Sequence, residues 1–256
     1  MTTPTPSAPP SPPPASPRAA RPYTYRGEGM SWFQPIMWDS GRFLSRLLSM
    51  LLFRFHARGT SNLPRTGPAL LVTNHQSFLD PWLIGIALPR QLHYMARDTL
   101  FKGGFLHWLM ESLNAFPVKR GHGDRAAIRT ATERLEKGYL VNIFPEGTRS
   151  EDGTIGPIAP GIALILRGVK RPVPIIPVLI DGAFEAWPRH QKLPHPRPIR
   201  ILYGTPIPLE EAKSLTPDAL AQRIRAELVK LQFAIHSPHA AASATRLAAE
   251  EKPARS

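Results

Sequence analysis

The sequence predicts an α/β fold: a mixed, largely parallel sheet flanked by helices, preceded by an N-terminal amphipathic, membrane-associated helical segment. Three observations predict it. Short apolar runs near 69–73, 139–144, 173–180 and 199–203 alternate with longer segments of helical periodicity. The run from Tyr139 to Phe144 is almost continuously apolar, the pattern of a strand covered on both faces. Polar residues able to do chemistry follow these runs directly, at strand carboxyl ends, where α/β folds place their sites.

Taken in order, residues 1–29 read as a disordered proline-rich tail. Nine of the 30 prolines fall within the first 22 residues, and such a composition cannot bury a core. The tail lacks the charged start and apolar middle of a secretion signal. Residues 30–58 read as interfacial amphipathic helices. Trp32, Phe33, Ile36 and Met37 fall at helical spacing, with Trp38 beside them. The run from Phe43 to Phe55 is nearly all apolar, while Arg42, Ser45, Arg46 and Ser49 share one narrow stripe. At about thirteen residues the run is shorter than the ~20 that span a bilayer. A wide apolar face, a basic stripe and neighbouring tryptophans describe a helix lying in the interface plane. A helix packed on the domain core would carry the same periodicity.

Residues 59–236 form the main domain. Turns at 62–64 and 66–68 lead into the strand 69–73. Ser77 and Asp80 have the spacing of a capping box, with Asp in place of the usual Glu or Gln, and Pro81 suits a first helical turn. Residues 91–97 read as a second strand. Residues 99–113, with Gly103 and Gly104 inside, read as a loop and a short helix crowded by Phe105, Leu106, Trp108, Leu109 and Met110. Ala115 to Val118 is a short strand ending in Lys119 and Arg120. Asp124 caps a helix over 125–137, with Gly138 just past its end. After the strand 139–144 come a helix over 158–166, a strand over 173–180, a strand over 199–203, and a helix from Pro217 to about His236 with proline at its first position. Residues 237–256 read as a flexible C-terminal tail.

The composition bounds the chemistry. There are no cysteines, which excludes disulfides, thiolate nucleophiles and cysteine-based zinc sites. The formal net charge of +13 favours a polyanionic partner: an anionic membrane, a phosphorylated substrate or nucleic acid. No helix-turn-helix, zinc-finger or RNA-binding signature occurs, so nucleic acid is not expected. The histidines outside the 74–80 block show no metal-ligand spacing, and neither metal nor cofactor is expected.

The chemistry concentrates in Asn74-His75-Gln76-Ser77-Phe78-Leu79-Asp80. An Asp in the first helical turn can reach back to one imidazole nitrogen of His75, fix the tautomer and leave the other nitrogen as a base. By itself the spacing also fits a turn histidine followed by a capping Asp. Three further blocks follow: Phe116-Pro117-Val118-Lys119-Arg120, Phe144-Pro145-Glu146-Gly147-Thr148-Arg149-Ser150, and Val173-Pro174-Ile175-Ile176-Pro177-Val178. No Gly-x-Ser-x-Gly elbow is present, which disfavours a covalent intermediate on a serine.

In this order and at these separations, the four blocks resemble the glycerolipid acyltransferase family, in particular the 1-acyl-glycerol-3-phosphate acyltransferases. The resemblance covers roughly residues 40–210, and the first and third blocks are its specific part. It implies a catalytic domain over 59–236 that moves a fatty acyl group from acyl-CoA or acyl-carrier protein to the sn-2 hydroxyl of lysophosphatidic acid, giving phosphatidic acid in phospholipid biosynthesis. It implies His75 as general base with Asp80 as its partner. It further implies substrate binding by Lys119, Arg120, Glu146, Gly147, Thr148 and Arg149. The amphipathic segment and the basic charge predict a monotopic location on the cytoplasmic face of a membrane. Lys119 and Arg120 also read as a solvated loop pair, and the fourth block as a plain buried strand. Where the family often carries a Phe-Lys pair after the third block, this chain has Ile158 and Ala159, which leaves open a different lysolipid or an aminolipid as acceptor. A thioesterase, or a non-catalytic basic membrane-binding protein on the same scaffold, are the alternatives from other classes.

Overall fold

A computed structural model describes residues 33–236, apart from 89, 105, 106, 108, 109, 111–113 and 120–123, and for 33–39 the backbone alone. The two predicted tails, Arg120, and most of the aromatic cluster at 105–110 therefore lie outside the described residues.

The described strands form one seven-stranded sheet. In chain order they are β1 (His56–Arg58), β2 (Ala69–Thr73), β3 (Leu92–Arg97), β4 (Ala115–Val118), β5 (Leu140–Ile143), β6 (Ile175–Asp181) and β7 (Arg200–Tyr203). Their spatial order is β1-β7-β6-β2-β5-β3-β4, and β6 with β7 is the one antiparallel pair. The mixed, mostly parallel sheet matches the predicted fold class.

β2 is the middle strand, and its five residues are all buried. Period-two alternation sends Leu70 and Val72 into one core and Ala69 and Leu71 into the other. That two-sided burial is why the run lacks polar alternation. Truncating Leu70 or Leu71 to Ala would cost about 2–5 kcal/mol.

Helices α1 (Phe33–Phe53), α2 (Asp80–Ala87) and α5 (Ala183–Ala186) belong to one face. Helices α3 (Arg125–Glu136), α4 (Ile162–Gly168), α6 (Leu209–Ser214) and α7 (Pro217–His236) cover the other. After β2 the chain crosses over α2 towards β3, whereas after β5 it crosses over α4 to β6 on the far side of β2. The two crossovers diverge, and the adjacent carboxyl ends of β2 and β5 open a crevice between them.

Several boundaries follow local chemistry. Asp124 caps α3, its carboxylate accepting the amides of Ala126 and Ala127 at 3.0 and 3.2 Å. α4 starts four residues later than predicted: Pro157 and Pro160 keep the preceding segment out of the helix, although Ile158 is buried there. β1, α5 and α6 were not predicted. Their three to six residues carry no periodicity long enough to register. β1 also moves residues 56–58 from the predicted interfacial segment into the sheet, where they pair with β7.

α1 departs from its predicted orientation in an informative way. Ser49 is fully buried, and Arg42 donates from Nη1 to the carbonyl of Leu88 at 3.0 Å. Arg42 and Ser49 of the polar stripe therefore meet the domain, while Arg46 stays exposed. The apolar side faces outward: Phe43 is 71 % exposed, Leu51 72 % and Leu44 64 %. No helix of the described residues is long and apolar enough to cross a membrane.

Candidate active site

The site begins with the first residue past β2. Asn74 is fully buried and exchanges two hydrogen bonds with the main chain of Ile180: its Nδ2 donates to the carbonyl at 2.9 Å and its Oδ1 accepts the amide at 2.7 Å. This side chain extends the β2–β6 ladder by one rung and fixes where the chain turns.

His75 Nδ1 lies 2.8 Å from Asp80 Oδ2. The same oxygen accepts the backbone amides of Gln76 at 2.6 Å and Ser77 at 2.7 Å. A carboxylate oxygen is an acceptor, so His75 Nδ1 carries the proton in this pair and Nε2 is left as the acceptor. Asp80 is fully buried while the His75 side chain is 18 % exposed, so the free edge of the ring reaches solvent. The imidazole stacks on Phe144, with ring centroids 4.2 Å apart.

The capping-box reading needs correction. Leu79, not Ser77, occupies the cap position of α2, and no side chain bonds there. Asp80 does reach back to the Ser77 amide, but the Ser77 hydroxyl donates to the carbonyl of Trp187 at 2.9 Å. A tight turn at 78–79 separates Ser77 from the helix; its oxygen accepts the Leu79 amide at 3.3 Å within that turn and also ties the loop to the segment after β6.

The third block enters from the end of β5. Glu146 Oε1 accepts the His75 amide at 3.1 Å and Oε2 accepts the Gly156 amide at 3.2 Å. The Ser150 amide donates to the His75 carbonyl at 2.7 Å, and Gln76 Nε2 donates to the carbonyl of Gly153 at 2.8 Å. Three of these bonds clasp the loop after β5 to the loop after β2, and the Gly156 bond braces the β5 loop on itself. Burial pushes the Glu146 carboxyl above the usual carboxylate range, an effect opposed by its two amide donors. Both Glu146 oxygens are taken by main-chain amides, so the geometry shows it bracing the loop.

Gly147 takes a positive φ of 69°, and no atom stands within 4 Å of where a Cβ would be. Thr148 is exposed beside it. The Arg149 guanidinium lies 3.5 Å over the ring of Phe78, itself 60 % exposed. The first and third blocks therefore share one rim. Lys119 stands apart, exposed at the carboxyl end of edge strand β4, its amide held by Asp124 at 2.8 Å. Three strand spacings separate β4 from β2, roughly 14 Å. The fourth block is a buried strand: Ile175 and Ile176 pair with Leu70 and Leu71, in the first half of β2 and away from His75.

Asn74, Phe144, Gln76 and Gly156 belong to this constellation and had no assigned role in the sequence reading. Phe144 carried a signal, an aromatic residue between a buried strand and a proline. Asn74 and Gln76 act through main-chain partners up to 106 residues away, and Gly156 through its own amide, which no local pattern announces.

Comparison with known proteins gives a consistent result. The model of the family described as Acyltransferase matches residues 54–181. A 1-acyl-sn-glycerol-3-phosphate acyltransferase of Bacillus subtilis is 28 % identical over 173 residues, covering 64 % of this chain and 83 % of the relative. A chloroplastic 1-acyl-sn-glycerol-3-phosphate acyltransferase of Brassica napus is 30 % identical over 172 residues, covering 65 % of this chain and 49 % of the relative. Among solved structures, the 1-acyl-sn-glycerophosphate acyltransferase PlsC of Thermotoga maritima superposes with a TM-score of 0.62 at 21 % identity, over 76 % of this chain and 79 % of that one. At that identity the likeness speaks for the fold.

Proposed function

This chain belongs to the acyltransferase family, and we propose that it acylates the sn-2 hydroxyl of lysophosphatidic acid, forming phosphatidic acid. One observation carries the reading: the His75–Asp80 pair, 2.8 Å apart, opens to solvent on the rim that also bears Arg149. The curated relatives quoted above, named for this reaction, support it.

In the proposed mechanism the acceptor hydroxyl donates to His75 Nε2 and loses its proton as its oxygen attacks the thioester carbonyl. Asp80 accepts from Nδ1 and stabilises the imidazolium. The tetrahedral intermediate collapses by breaking the carbon–sulfur bond, and the departing thiolate takes the proton from Nε2. The products are the new ester and a free thiol. A base placed in this way is worth about 10²–10⁴-fold. The Arg149 guanidinium offers a forked contact for the acceptor's phosphate, and the open backbone at Gly147 and Thr148 lets that phosphate come close. Lys119 supplies further positive charge from the end of β4, and Arg120 follows it in the sequence. Glu146 acts by holding the His75 main chain.

We assign the outward apolar face of α1 to the interfacial layer of a membrane, where a lysolipid acceptor resides. The basic balance of the chain suits an anionic cytoplasmic leaflet, where acyl-CoA or acyl-carrier protein is met. A second acceptor class stays within this chemistry. Ala159 is exposed, and its amide donates to the Pro145 carbonyl at 3.0 Å, so the position beside the third block lacks a side-chain cation. An acceptor with less phosphate charge, another lysolipid or an aminolipid, suits that site.

The test is product analysis with long-chain acyl-CoA, and separately acyl-carrier protein, against lysophosphatidic acid and a panel of other lysolipids. Phosphatidic acid as the dominant product supports the proposal. Transfer only to other acceptors would reject lysophosphatidic acid.

A further inference from the structure

Residues 189–198 form an exposed loop that the chemistry above does not use. Every residue in it is exposed, Leu193 by 73 %. It holds Arg189, Lys192 and Arg197, and no acidic residue.

The loop is nevertheless firmly built. At its start, Trp187 receives the Ser77 hydroxyl through its carbonyl, and its Nε1 donates to the carbonyl of Gln191 at 3.0 Å. Midway, the His195 amide donates to Ala186 at 2.7 Å. At its end, the Ile199 amide donates to the carbonyl of Phe53, the last residue of α1, at 2.9 Å. Gly182 packs so closely on the Pro198 carbonyl that a Cβ would collide with it. Pro194, Pro196 and Pro198 restrict the backbone further. The loop therefore runs from the His75 block to the end of the outward-apolar helix, with little conformational entropy left to lose on binding.

Its charge is only partly answered by the protein. Arg189 approaches Glu151 at 3.7 Å, a pair in which Glu151 is 86 % exposed. Arg197 lines a cleft of about 460 Å³ with Asp181 and Glu185. Lys192 has no acidic partner among the described residues. Cations interleaved with an exposed Leu193, beside an exposed Phe78 and the end of α1, match the chemistry of a lipid interface.

We propose that residues 189–198 are a second membrane contact, taking anionic lipid headgroups on Arg189, Lys192 and Arg197 with Leu193 set into the acyl boundary. This rests on the assignment of α1 to the membrane and deepens it. α1 supplies apolar affinity for any bilayer, and the loop adds preference for negative charge and fixes the rim of the site against the surface. An acidic carrier protein would also meet the cations, but it would leave unexplained the exposed leucine and the junction with α1.

The test is co-sedimentation of the full chain with vesicles of phosphatidylcholine alone and of phosphatidylcholine containing phosphatidylglycerol. The variants are Arg189→Gln/Lys192→Gln/Arg197→Gln combined, Lys192→Glu alone in case the triple variant folds poorly, and Leu193→Ala. The triple variant is expected to lose about 100-fold, on the order of fivefold per charge, in affinity for the anionic vesicles. Its salt dependence should flatten, and its affinity for neutral vesicles should not change. Lys192→Glu should show the same selective loss, and Leu193→Ala should weaken binding to both vesicles. Native affinity of the charge variants for anionic vesicles would overturn the proposal. So would a defect confined to transfer from acyl-carrier protein, which would give the surface to an acidic protein. A native chain that binds anionic but not neutral vesicles would reject the role of α1 while supporting that of the loop.

Discussion

The backbone amide of His75 donates to Glu146 at 3.1 Å, across 71 residues of chain, so the third sequence block holds the imidazole-bearing residue by its main chain. The same carboxylate takes the Gly156 amide, and burial raises its pKa above the usual range. A carboxyl held above its unfolded value binds protons more readily in the folded state. It therefore adds stability as pH falls through the raised value and withdraws it as pH rises. Glu146→Gln removes this titration and turns an amide NH₂ towards one of the two donors. We predict that native stability relative to this variant grows as pH is lowered from neutral, read by urea denaturation across pH. Turnover of the variant should fall by up to about 10²-fold, because the His75 position loosens. A stability difference independent of pH would contradict the first part.

Asn74 should matter to stability before chemistry. Asn74→Ala leaves the buried amide and carbonyl of Ile180 without their partners. Each such group costs about 1–3 kcal/mol, so unfolding free energy should drop by a few kcal/mol. Calorimetry or denaturant titration checks this, and a loss under about 0.5 kcal/mol would be inconsistent with the bonding described.

Arg149→Lys keeps the charge and removes the planar fork. We predict that kcat/KM for lysophosphatidic acid falls by about tenfold or more, the scale of a charged hydrogen bond. The rate with the uncharged monoacylglycerol should barely change. An equal loss with both acceptors would show that Arg149 serves the fold, through Phe78, and not the phosphate.

The outward face of α1 gives a prediction about membranes. Leu47→Glu with Leu51→Glu alters side chains 43 % and 72 % exposed, so the melting temperature should stay within a few degrees of native. Affinity for neutral vesicles should fall at least tenfold, given about 1.5–3 kcal/mol per leucine transferred from water. Unchanged vesicle binding would remove α1 from the membrane.

The sheet was legible because burial on both faces writes continuous apolar runs, as in Leu70 to Val72 and Ile175 to Ile180. The His75–Asp80 pair was legible too, since five residues and a helix start fix their separation. The clasp between the loops was not, because Glu146 and Ser150 bond to main-chain groups and leave no residue-type signal on their partners. The capping box was legible in part: Asp80 takes the Ser77 amide, but the cap position is Leu79 and the Ser77 hydroxyl finds its acceptor at Trp187, 110 positions away. The α1 stripe shows that periodicity gives the faces of a helix without saying which one is buried. Here Ser49 is buried and Leu51 is not.

The central claim is that His75 acts as a general base in direct transfer. Its most direct test is turnover of lysophosphatidic acid with long-chain acyl-CoA by the native chain, His75→Ala and Asp80→Asn, each shown by circular dichroism to be folded. Intact-mass analysis of the native chain with donor alone accompanies it. We predict a loss of about 10²–10⁴-fold for His75→Ala, a smaller but clear loss for Asp80→Asn, and no acyl adduct on the native chain. His75→Ala turnover within a few-fold of native, or a stoichiometric acyl-enzyme, would contradict the account.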